Sequence, residues 1–172
     1  MLCGARRSSL VVALLATPRG GALALHRSPP ALSYGVRRAA VTTMSGTFSR
    51  KPGVSAPDEL SAFVSAAGSD LIVVDVRNPD FAAEPGDAKS NEKAPIGDPS
   101  RAAALNVVYD RAESKMDLSS LAGKEAAPII THCGGGGRGQ KAKDYLLANG
   151  FTNVLNGGGP EDAECWAVFG AK

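Results

Sequence analysis

The stretch Pro128–Lys141, PIITHCGGGGRGQK, constrains this chain more than any other. A short apolar run meets a cysteine, four consecutive glycines, an arginine and then a segment with helical spacing. Residues 128–132 have the length and side chains of a buried strand. From Gly139 to Asn149, Ala142, Tyr145, Leu146 and Leu147 form an apolar side, and Gly150 supplies a stop. A strand tied to a helix by a tight loop is the building unit of a parallel sheet. In open parallel sheets, active sites lie at the carboxyl ends of strands. Cys133 falls at that end.

The remaining segments repeat the alternation. Pro57, Asp58 and Glu59 mark a helix start, with Ser55 as the capping hydroxyl. Leu60, Phe63, Val64 and Ala67 follow at helical spacing, and Gly68 ends the run. Leu71–Val74 reads as a strand buried on both faces, closed by Asp75, Val76 and Arg77. Residues 78–101 are rich in Pro, Gly, Asp and Lys, and predict an excursion with at most a short helix. Ala104–Val108 is a second strand, Asp117–Leu121 a helical turn, Asn153–Asn156 a fourth strand and Glu161–Phe169 a last helix. Together these predict an α/β fold, a parallel central sheet with helices on both faces.

Charge divides the chain. Residues 1–57 contain no Asp or Glu, and eight of the 19 basic residues lie there, so the rest carries 17 acids against 11 bases (19 − 8), a net −6. A mildly acidic domain without a basic stripe argues against a nucleic-acid partner. The acid-free start is rich in Arg, Ala, Leu and Ser, as in mitochondrial or plastid transit peptides. Its apolar run Leu10–Ala16 is far shorter than the roughly 18 residues of a membrane span, so no membrane anchoring is expected. That run also resembles the core of a secretory signal. The expected organisation is a targeting presequence over 1–44, a linker over 45–57 and one domain over 58–172.

Three cysteines, Cys3, Cys133 and Cys165, are too few for a disulfide scaffold, and Cys3 belongs to the presequence. Reactivity is the better question. Glycines at 134–137 and 139 let the backbone turn its N–H groups inward and form an anion nest. The following helix adds its donors and positive dipole end. Arg138 adds a planar, permanent charge. A thiolate at Cys133 is stabilised by such surroundings, and is poised to receive and pass on a charged group. Asp75 and Arg77 read as an ion pair that supports the loop, with substrate contact as the alternative. His132 reads as a packed strand residue rather than a base, and Cys165 as a core or surface residue, with a resolving thiol for Cys133 as the sharper alternative. No His/Cys spacing suits a metal, and no cofactor is expected.

Strand, Cys-x4-Arg glycine loop and helix resemble the active-site loop of rhodaneses. LIVVDVRNPDF (71–81), AAALNVVYD (102–110) and GQKAKDYLLANGFTNVLNGGG (139–159) are similar to three further stretches of that family, notably of its small single-domain, phage-shock type. The resemblance spans roughly residues 70–170. It implies a rhodanese-like fold and a thiosulfate-type sulfurtransferase working through a cysteine persulfide. Cys133 would be the carrier. The amides of Gly134, Gly135, Gly136, Gly137, Arg138 and Gly139 would cradle the sulfur, and the Arg138 side chain would contact a small anionic donor. The acceptor would be cyanide or a thiol, and the protein a monomer. The family's Gly-His-Ile-x-Gly-Ala segment is absent; Lys93–Arg101 stands in its place.

Other readings of these residues are weaker. Gly134, Gly136 and Gly139 satisfy G-x-G-x-x-G, with Glu161 downstream, but too little chain follows for a dinucleotide unit. A Walker loop fails because Gln140 stands where Lys is needed. Phosphatases and arsenate reductases of related fold use Cys-x5-Arg, one residue longer. A rhodanese fold used only for binding, with Cys133 idle, stays open.

Overall fold

Four strands follow each other across one sheet in the order β2-β1-β5-β6, all parallel. These are β1 (Ile72–Asp75), β2 (Ala104–Asn106), β5 (Ile129–His132) and β6 (Val154–Asn156). The computed structural model describes residues 50–172. The sequence-predicted targeting segment and the start of the expected linker lie outside them. The arrangement is the α/β class expected from the sequence, a parallel central sheet with helices packed against it.

The sheet is buried on both faces because each strand sends alternate side chains to opposite sides. Val74 and Ile129 pack with Ala142 and Leu146 of α3 (Gly137–Ala148). Val73 and Ile130 pack with Leu60 of α1 (Pro57–Ala67) and with Cys165 and Phe169 of α4 (Ala163–Phe169). Leu60, Phe169, Leu146, Ile129 and Ile130 are wholly buried, each worth about 1.5–3 kcal/mol by transfer.

Three local expectations need correction. Ser55 does not cap α1. The N-cap is Ala56 without a side-chain bond, while Ser55 donates its N–H to the Asn156 carbonyl (2.9 Å). The chain before α1 is thus pinned to the end of β6 rather than free to cap, and residues 50–56 pack as part of the domain. Second, α3 starts at Gly137, two residues early, because Gly136 at φ +91° makes the turn into the helix. Arg138 therefore sits in the first helical turn. Third, β3 (Tyr109–Asp110) and β4 (Lys115–Met116) form an antiparallel hairpin absent from the sequence reading. Asp110 builds its turn by accepting from the N–H groups of Ala112 (2.7 Å) and Glu113 (3.0 Å). The excursion over 78–101 does hold one short helix, α2 (Gly86–Lys93).

From β1 the chain moves outward to β2, then returns past β1 to β5. The direction of winding switches between β1 and β5, and ligands in such sheets bind beyond the carboxyl ends at that switch. Register places Asp75 opposite both Asn106 and His132 there.

Candidate active site

Cys133 follows β5 directly and is free and buried, at 6% exposure. It lies at the floor of a cleft of about 390 Å³, lined also by Gly134, Gly135, Gly137 and Arg138 of its own loop. The Gly136 N–H donates to its Sγ at 3.2 Å. The loop carbonyls are drawn elsewhere. Gly134 O accepts from the Glu161 N–H (3.0 Å), and Gly136 O from the Gln140 N–H (2.9 Å) and Asn156 Nδ2 (3.1 Å). The N–H groups of Gly134, Gly135 and Gly137 have no acceptor among the described residues. The loop thus ties the Gly134 and Gly136 carbonyls into the fold and turns the Gly136 N–H onto the sulfur, the polarity an anion nest uses.

Asn156 was not singled out from sequence, yet it fastens this loop. It is wholly buried, and its Nδ2 also reaches Gly53 O (3.2 Å) and Gln140 Oε1 (3.3 Å), while its Oδ1 accepts from the Gly158 N–H (3.1 Å). One amide therefore joins the residue 53 segment, the loop, α3 and the turn after β6. Gly159 lies so near that a Cβ would fall 1.8 Å from the Cys133 carbonyl oxygen. At Gly135 a Cβ would meet only the exposed tips of Glu161 and Lys51, which can swing aside, so the backbone crowding here is that at Gly159.

Arg138 does not present a free fork. Its Nη1 and Nη2 donate to Asp87 Oδ2 (2.7 Å) and Oδ1 (3.1 Å), and Glu84 lies 3.7 Å away. Asp87 is buried in the first turn of α2 and also accepts from the Asn78 N–H (2.9 Å). The guanidinium expected to contact a donor anion is instead a strut between α3 and α2. The physical cause is the early start of α3, which places Arg138 on the side facing α2. Four bases line the cleft, Lys51, Arg111, Arg138 and Lys141, against the two acids Asp87 and Glu161, so it is net positive by two. Lys51 faces Glu161 (3.7 Å), and Arg111 pairs with Glu84. Lys141 makes no ion pair among the described residues and is exposed.

No family model matches the chain, and no curated protein matches it. Among solved structures, an uncharacterized protein from Saccharomyces cerevisiae is similar at 20% identity with a TM-score of 0.41, covering 66% of this chain and 89% of that chain.

The supporting ion pair is present. Arg77 Nε and Nη2 donate to Asp75 Oδ1 (2.9 Å) and Oδ2 (2.7 Å), with both residues almost wholly buried. Arg77 also reaches Ser90 Oγ (3.1 Å) and the Ala94 carbonyl (2.8 Å), which anchors α2 beside the cleft. Neither residue can touch a ligand. Cys165 lies in the core on the other face, with Sγ 3.4 Å from the Ser55 carbonyl. Burial and Asp162 push its thiol up to about 11. It is a packed thiol, set apart from Cys133.

His132 is wholly buried between Trp166 and Phe169. Burial first, with the Arg101 and Arg77 charges adding to it, lowers its pKa from 6.5 to about 4, although Asp75 pulls the other way. The folded pKa lies below the unfolded one, so the unfolded chain binds a proton that the fold refuses. Stability therefore falls as pH drops from about 6.5 toward 4, by about 3 kcal/mol in all at 1.36 kcal/mol per unit. Urea midpoints at pH 7 and pH 5 should show the loss in the wild type and a smaller one in His132→Asn. Equal slopes would remove His132 as the cause.

Among the described residues, no group of three His, Cys, Asp or Glu could hold a metal, and no helix is long and apolar enough to cross a membrane.

Proposed function

We propose that this protein is a rhodanese-type sulfurtransferase, with Cys133 carrying the transferred sulfur. The observation that supports it most is the orientation of the glycine loop. The Gly134 and Gly136 carbonyls are tied into the fold, the Gly136 amide donates to Sγ, and the Gly134, Gly135 and Gly137 amides of the same loop have no acceptor among the described residues. Donors so placed stabilise a thiolate and the outer sulfur of a persulfide.

The reaction has two displacements. The Cys133 thiolate attacks the sulfane sulfur of thiosulfate or a similar donor. The donor's S–S bond breaks and sulfite leaves with the electron pair. A nucleophile, cyanide in the assay or a small-molecule or protein thiol, then attacks the outer sulfur and regenerates the thiolate. No general base is required, and His132, neutral and packed on the other face, offers none. The organelle, mitochondrion or plastid, and the monomeric state belong to the same proposal; the Arg-rich start of the chain supports the first.

Donor binding falls to Lys141 and Lys51 at the mouth and to the loop amides, since Arg138 is held by Asp87. Lys141→Ala should raise KM for thiosulfate about two- to fivefold, the effect of losing one solvent-screened charge, and leave kcat near wild type. Steady-state thiocyanate release checks this. An unchanged KM would take Lys141 out of donor binding. Thiocyanate release from thiosulfate and cyanide by the wild type is the direct test of the activity itself.

One observation favours a second reading, a rhodanese fold used for binding with Cys133 idle. Asp87 neutralises the loop's only guanidinium, and Cys133 is 6% exposed. Absence of thiocyanate release would favour it.

A further inference from the structure

A second cleft, of about 520 Å³, lies beside α4 and the segment Lys93–Arg101, and none of its lining residues lines the Cys133 cleft. We propose that it binds a small monocarboxylate with a flat apolar body, held by Arg101 and Trp166.

Arg101 carries the argument. It is 6% exposed, yet it makes no ion pair among the described residues. The other buried arginine among the described residues, Arg77, is matched by Asp75, and the half-buried Arg138 by Asp87. Arg101 has one neutral partner, with Nη2 3.2 Å from His132 Nε2. Its Nε is buried and has no acceptor at all among the described residues. A buried charge without a counter-charge in contact is costly, and an arriving anion lowers that cost.

The surroundings specify the anion. The guanidinium lies over the Trp166 ring, 4.8 Å from its centroid, so the indole and the cation share one wall. Ala94, Pro95 and Ala167 make the rest of the lining largely apolar. Lys93 and Arg101 give two positive charges and Asp98 one negative, a net of one. Asp98 turns its Oδ1 to the Ser100 N–H (2.9 Å) and Oγ (2.7 Å) and makes no ion pair with Arg101, so it and Asp75 act on the guanidinium only from a distance. A planar carboxylate matches the guanidinium donors that line this cleft, and a flat body matches Trp166 and the alanines.

The site reaches the reactive loop. An arginine can only donate, so His132 Nε2 accepts and the ring proton sits on Nδ1. That atom faces the Cys133 carbonyl at 3.4 Å. A carboxylate on Arg101 thus acts one residue from the thiol, through His132.

Trp166 is the only tryptophan in the chain and reports the site directly. Its fluorescence should change saturably with benzoate up to about 10 mM, in the range of a weak small-ligand site. Benzamide, which keeps the ring and drops the charge, should bind at least tenfold more weakly, and inorganic phosphate, which lacks the ring, likewise. Arg101→Met should reduce benzoate to the benzamide level while Lys141→Ala leaves it unchanged. No saturable benzoate response, or equal binding of benzamide or phosphate by the wild type, overturns the proposal. These readouts use no sulfur transfer, so they stand or fall apart from the role of Cys133.

Discussion

Cys133→Ser should abolish thiocyanate release, by at least about a thousandfold, while the protein stays folded. Serine keeps the size of cysteine and can still accept the Gly136 N–H, so packing of the loop survives. What is lost is the nucleophile. A hydroxyl is not ionised at neutral pH, and amide donors alone cannot make it so. An added base would be required, and the adjacent imidazole cannot serve: His132 is wholly buried, accepts from Arg101 through Nε2 and faces Trp166 and Phe169. Nor can Cys165 substitute, because its thiol is packed in the opposite core and its proton is held up to about 11. Thiocyanate release and the melting temperature should be measured together. A variant that is folded and still active would place the sulfur carrier elsewhere.

The largest stability effect is expected at Asp75→Asn. Arg77 is wholly buried and Asp75 is its only carboxylate partner among the described residues. Removing that charge strands a guanidinium in the interior, which costs about 3–5 kcal/mol. For a domain of this size the melting temperature should fall on the order of 10 °C or more. The exposed pair Lys115–Glu113 makes the contrast. Both of its side chains stay in water, and breaking it should leave the melting temperature nearly unchanged. Acid should act in the same direction as the substitution. Burial alone would raise the Asp75 pKa, but the Arg77 bonds and charge, with His132, hold it below its usual 3.8. A carboxylate with a depressed folded pKa stabilises fully above its unfolded value and loses that contribution as pH falls through the folded one. The wild type should therefore lose stability steeply below about pH 4, and Asp75→Asn should lose less there. A melting temperature unchanged by the substitution would mean that the pair contributes no net stability.

The alternation of apolar runs with helical segments was enough to read the parallel sheet and to put Cys133 at a strand's carboxyl end. The Asp75–Arg77 pair was legible because both residues close one strand, two positions apart. The fate of Arg138 was not legible. Its partner Asp87 is 51 residues away, in a segment whose Pro, Gly, Asp and Lys content shows no periodicity and whose eight-residue helix has one acid in its first turn. Lys51 was hidden for a different reason. Its basic, proline-flanked surroundings read as linker, and only the bonds from Asn156 to Gly53 O and from the Ser55 N–H to Asn156 O bring that segment onto the cleft. The four glycines read as a nest, and the structure turns the Gly136 N–H onto Sγ, while the backbone contact that crowds this loop comes from Gly159, 26 residues beyond Cys133. Composition cannot reveal contacts made by residues this distant in the chain.

The central claim is that donors converging on one sulfur let it hold another. Intact-protein and peptide mass spectrometry after brief thiosulfate treatment reads that directly. The account expects one added sulfur, about 32 Da, confined to the peptide with Cys133 and removed by cyanide, as a covalent carrier requires. An unmodified Cys133, or an adduct found on Cys165 instead, would contradict it.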